Sequence, residues 1–146
     1  MFNHYKNKRI VNINVNIILA AFFSTLLAAY PVHLTKFFTN NLFQIVLFSI
    51  GADAILDFSL FAFFHWLVHK SHSKKVIAMD FALIQSHRIV LSILYYALAG
   101  SFQFILMHLG FYRAGSFIAA YLLALIITRT IHTWYGIRTG LFNKLK

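Results

Sequence analysis

At 146 residues, 60% hydrophobic and 11% charged, with a mean hydropathy of +0.73, the chain carries more apolar surface than a soluble domain of its size can bury and reads as an integral membrane protein. The absence of cysteine excludes disulfides, thiolate metal sites and cysteine nucleophiles. A net charge of +10 comes from thirteen basic residues spread over several connections, which argues against nucleic acid and for topology signals and contacts with anionic lipid head groups.

A polar, basic arm with Lys6, Lys8, Arg9 and alternating asparagines precedes the first predicted span, residues 16–32, which is taken as retained because no small-residue cleavage site follows it. Ala20, Ser24 and Ala28, with Ala21, Thr25 and Ala29 beside them, repeat at four-residue spacing, a pattern that lets another helix approach closely. Tyr30 and Pro31 are expected to end this span, an interfacial aromatic followed by a residue that discourages helix continuation.

The second predicted span, residues 42–68, organises the rest of the chain. Asp53 and Asp57, two of the three acids, lie near its middle, where a carboxylate costs at least roughly 2.5 to 3.5 kcal/mol and must turn toward protein, water, a cation or a proton. A basic connection from His69 to Asp80 is expected next, then a third span over residues 81–109 with Tyr95, Tyr96 and Gln103 at depth. After a tight connection bearing Arg113, a fourth span covers residues 115–134, and a basic tail follows. The predicted fold is all-α: a four-transmembrane-helix bundle in a single membrane domain over residues 1–146, readable as two parallel-repeated helical hairpins.

Lysine and arginine alternate rich, poor, rich, poor, rich from the N-terminal arm to the tail. The positive-inside rule therefore places both termini in the cytoplasm, with the cell (inner) membrane as the expected location. Trp66 and Trp134 fall at the inner interface, Tyr30 and Tyr112 at the outer one.

Depth along the spans places Asp57 near Tyr95 and within reach of Arg129, which predicts an ion pair with a bidentate guanidinium. Asp53 has no basic residue at its depth. It reads as a carboxyl neutral at rest that exchanges a proton or binds a cation, or as a register-fixing group hydrogen-bonded to Gln103 or a tyrosine. The polar site read from the sequence is thus Asp53, Asp57, Tyr95, Gln103 and Arg129.

A second constellation is His65, His69, His72, His87 and His132, all near one predicted face of the membrane. His65 and His69 have the spacing that lets two imidazoles share a metal, and His65-xxx-His69-xx-His72 resembles one histidine box of membrane di-iron hydroxylases and desaturases. Those enzymes need further boxes with adjacent histidines, and this chain has none, so lipid head-group contact is the plainer role and no cofactor is expected. There is no phosphate loop, GxSxG elbow or HExxH.

In its four spans, basic character and aromatic-basic end to the second span, the chain resembles the small GtrA-type membrane proteins. Asp57-Phe58 through His65-Trp66-Leu67-Val68 is similar to that family's Asn-Phe and Arg-x-Trp-Val-Phe, departing in spacing, in Asp for Asn and in His for Arg. The resemblance implies movement of polyprenyl-phosphate-linked sugars across the membrane. Three functions follow as expectations. The first is a transporter or flippase-like carrier for an anionic or lipid-linked substrate. The second is a structural or assembly subunit, acting as a homo-oligomer or within a larger membrane complex. The third is a histidine-based membrane metalloenzyme.

Overall fold

A computed structural model describes residues 9–69 and 74–138, with side chains over 15–67, 91–134 and at 138. Four long helices follow one another: α1 (Arg9–Leu34), α2 (Leu42–His69), α3 (Lys74–His108) and α4 (Arg113–Arg138), with a short 3-10 turn, Thr35–Phe37, after α1. All four contain stretches long and apolar enough to cross a membrane, the shortest of them 18 residues. At ~1.5 Å per residue this is about 27 Å, close to the hydrocarbon thickness. The protein is an all-α, four-helix integral membrane bundle.

Antiparallel packing runs around a four-sided ring, α1 against α2, α2 against α3, α3 against α4 and α4 back against α1. One core unites Ala28 and Val32 of α1, Ala99 of α3, and Phe117, Ala120, Tyr121 and Ala124 of α4. A second, Ile17, Ala20 and Phe61, joins α1 to α2, and a third, Ile45, Val46 and Met107, joins α2 to α3. Large apolar side chains such as Leu27, Ile55, Phe58, Ile93 and Ile126 face outward, as lipid contact requires. The stripe Ala20, Ser24, Ala28 is wholly buried within the chain, as is Thr25, and Ala21 nearly so. The close approach it permits is therefore spent inside this bundle.

Helix ends differ from the spans read in the sequence: α1 starts at Arg9, inside the expected polar arm, and α4 runs from Arg113 to Arg138. Pro31 lies inside α1, which continues to Leu34. Its missing N–H affects only the last turn, and there the Thr35 hydroxyl donates to the Val32 carbonyl at 2.7 Å while Val32 is fully packed. The expected connection ending at Asp80 is instead largely helical, since α3 begins at Lys74. The stretch from Lys74 to Met79 has no proline or glycine and consists mostly of good helix formers.

The connections at one end are tightly specified. Asn41 caps α2, its Oδ1 accepting from the backbone N–H of Phe43 at 3.0 Å and of Gln44 at 3.3 Å. α3 closes with a Schellman motif, in which the Phe111 N–H reaches the Leu106 carbonyl, the Gly110 N–H reaches Met107, and Gly110 takes φ 87°. Arg113 then fastens the two connections together, donating to the Thr39 carbonyl at 2.8 Å and to Asn40 Oδ1 at 2.7 Å.

Candidate functional site

Antiparallel pairing of α1 and α2 sets the site. Ser24 lies ten residues back from Leu34 and Asp53 eleven on from Leu42, so the two reach the same depth. The small side chains of α1 let the helices approach until the Ser24 hydroxyl is 2.8 Å from Asp53 Oδ1, with the Thr25 hydroxyl 3.4 Å from the same oxygen. Both hydroxyls also lie against the carbonyl oxygen of Ala21, at 3.0 Å from Ser24 and 2.9 Å from Thr25. Asp53 has no exposed surface, and its Oδ2 has no hydrogen-bond partner among the described residues.

Three tyrosines complete this nest from the opposite side. The Tyr96 hydroxyl faces the Asp53 carboxyl, and the Tyr95 hydroxyl faces Thr25. Tyr121 reaches in from α4 and packs edge-on against Tyr95 with ring centroids 5.8 Å apart. The hydroxyls of Tyr95 and Tyr121 are buried with no hydrogen-bond partner among the described residues. Asp53 is thus surrounded by hydroxyls and aromatic rings.

One turn along α2 the surroundings change. Asp57, Tyr95 and Arg129 line a cavity of about 20 Å³ together with Ser92, Tyr96 and Thr128, enough space for one water molecule. Arg129 also borders a shallow, open surface patch on the flank of α4, with Thr130, Thr133 and Trp134. Arg129 therefore lies between the interior cavity and the surface.

Of the polar residues picked out in the sequence, Asp57, Tyr95 and Arg129 meet at this cavity, and Asp53 sits one turn away. Gln103 does not join them. Its Nε2 donates to the Ser49 hydroxyl at 2.8 Å, about one turn from Asp53 toward the start of α2, and Ser49 in turn donates to the Ile45 carbonyl. Gln103 thus serves the α2–α3 contact.

Among the histidines, His65 is buried and stacked on Phe61 with centroids 5.9 Å apart, and His132 is half-buried on α4. His72 and the side chains of His69 and His87 lie outside the described residues. Among the described residues no three metal-binding side chains converge.

Sequence reading overlooked the hydroxyls. Ser24 and Thr25 stood out only as small residues, although their depth opposite Asp53 was available from the antiparallel hairpin. No family model, curated protein or solved structure matches this chain.

Proposed function

We propose that this protein is a small membrane carrier for an anionic substrate, in which Asp53 is the coupling group and Arg129 the anion contact. The observation that carries the reading is the placement of a fully buried carboxyl, held among the described residues by hydroxyls, one helical turn from a cavity lined by Arg129, which also borders the surface of α4. Buried acids inside membranes mark proton and ion pathways, and an arginine beside a tryptophan on the bundle surface suits the phosphate of a lipid-linked substrate. The resemblance of the second helix to GtrA-type proteins points the same way. The reading as an assembly subunit loses its docking face, because the small-residue stripe of α1 is consumed inside the bundle.

The carrier sits in the cell (inner) membrane among anionic lipids with both termini in the cytoplasm, as the alternation of basic connections supports. Cysteine at Thr39→Cys should then react with an impermeant thiol reagent applied outside, whereas Ser73→Cys should not; the reverse pattern would overturn the orientation. For transport, the full chain is reconstituted into vesicles containing a fluorescent polyprenyl phosphate. A pH gradient should accelerate its transfer between leaflets over protein-free vesicles, and Arg129→Gln or Asp53→Asn should abolish the acceleration. Transfer no faster than in protein-free vesicles would refute the carrier.

A further inference from the structure

On the α1 side, the nest around Asp53 contains three short oxygen-to-oxygen contacts and only two hydroxyl protons. Ser24 to Asp53 is 2.8 Å, Ser24 to Ala21 is 3.0 Å and Thr25 to Ala21 is 2.9 Å. Each hydroxyl donates once. If Asp53 were ionised, Ser24 would donate to it and the Ser24–Ala21 contact would set lone pairs against each other. Among the described residues the fully buried carboxylate would also keep one short hydrogen bond, from Ser24, with the Tyr96 hydroxyl facing it and no partner within bonding distance of Oδ2. A proton on Oδ1 removes the lone-pair conflict and the buried charge, leaving Oδ2 a neutral carbonyl oxygen, since Asp53 then donates to Ser24 while Ser24 and Thr25 both donate to Ala21.

We infer that Asp53, Ser24, Thr25 and the Ala21 carbonyl form an exchange site for one positive charge, occupied by a proton in this arrangement and open to a sodium ion when the proton leaves. The inference rests on the reading of Asp53 as the coupling group and names the ligand. In the exchange, the carboxylic acid releases its proton to solvent and the resulting carboxylate binds Na⁺, so the net charge of the nest stays neutral.

Oxygen is the only donor type present, from a carboxylate, two hydroxyls and a carbonyl, with the Tyr96 hydroxyl facing them, which is the chemistry of a hard cation. One carboxylate balances a monovalent ion and would leave a divalent one with uncompensated charge inside the membrane. The oxygens already stand 2.8 to 3.4 Å apart, so a small ion requires less separation of α1 and α2 than a large one. The groups facing Asp53 are the tyrosines 95 and 96 from α3, Tyr121 from α4 and Asp57 on its own helix; α1 presents only hydroxyls.

The test uses the full chain in detergent at mildly alkaline pH, weakly buffered, with a pH-sensitive dye. NaCl should release protons in proportion to protein, and choline chloride should not. Asp53→Asn should abolish the release, and Ser24→Ala should raise the half-saturating Na⁺ concentration by at least about tenfold. Ser24→Ala and Thr25→Val retain the carboxyl and serve if Asp53→Asn does not fold. Equal release by choline, no release by the unaltered chain, or release that survives all three substitutions would overturn the site. Sodium-driven release in detergent together with no lipid transfer in vesicles would uphold this site and remove the carrier.

Discussion

Asp53 and Asp57 are four residues apart on one helix, yet they meet opposite surroundings. Asp53 is sealed, with hydroxyls and a backbone carbonyl around it, while Asp57 is half-buried and shares a water-sized cavity with Arg129. The difference comes from the neighbouring helices and not from α2 itself. At the depth of Asp53, α1 offers Ser24 and Thr25, and one turn further the cavity opens toward Leu91 and Ser92 of α3 and Arg129 of α4. Under the proposed reading, identical side chains take different tasks, charge balance at Asp57 and charge exchange at Asp53.

Asp57→Asn should show the largest effect on stability. Asp57 and Arg129 line one cavity, and if they pair there as the sequence leads one to expect, stripping one partner costs roughly 3 to 5 kcal/mol, at the low end because neither is fully sealed. Detergent melting of Asp57→Asn, Arg129→Gln and the double variant should show non-additivity of at least about 1 kcal/mol. Additive losses would dissolve the assigned pairing.

Overpacking beside the nest should come next. Ala20→Leu, one turn before Ser24 and against Phe61, should cost about 1 to 3 kcal/mol by forcing α1 from α2. It should also weaken sodium-driven proton release, which separates a nest that depends on close helix approach from one that does not.

Gln103→Leu should cost less than about 1 kcal/mol, the usual size of an interhelical hydrogen bond in a membrane. It should leave proton release unchanged, since Gln103 bonds Ser49 and not Asp53. Asp53→Asn should be the mildest for stability, within about 0.5 kcal/mol, because an amide N–H₂ can replace the acid proton toward Ser24. Equal destabilisation by Asp53→Asn and Asp57→Asn would erase the contrast between them.

Much of the fold was legible because membrane spans are written in length and apolarity, which is how the four helices and the depth of Asp57, Tyr95 and Arg129 could be read. The boundary at Pro31 was not, since whether a proline ends a helix depends on packing of the following turn, here Val32 and Thr35. Nor was the start of α3, where a run of lysines resembles a connection but carries helix formers. Gln103 was misplaced because depth alone does not say which neighbour a side chain faces; rotation about the helix axis turns it to Ser49. Ser24 and Thr25 were read for size when their hydroxyls mattered as much.

The central claim, that Asp53 carries an exchangeable proton inside the membrane, is tested most directly by infrared difference spectroscopy of the full chain. Raising the pH, or adding NaCl at constant pH, should remove a protonated-carboxyl C=O band and produce carboxylate bands, and the change should be missing from Asp53→Asn but present in Asp57→Asn. A band that persists in Asp53→Asn, or no protonated carboxyl in the unaltered chain, would contradict the account.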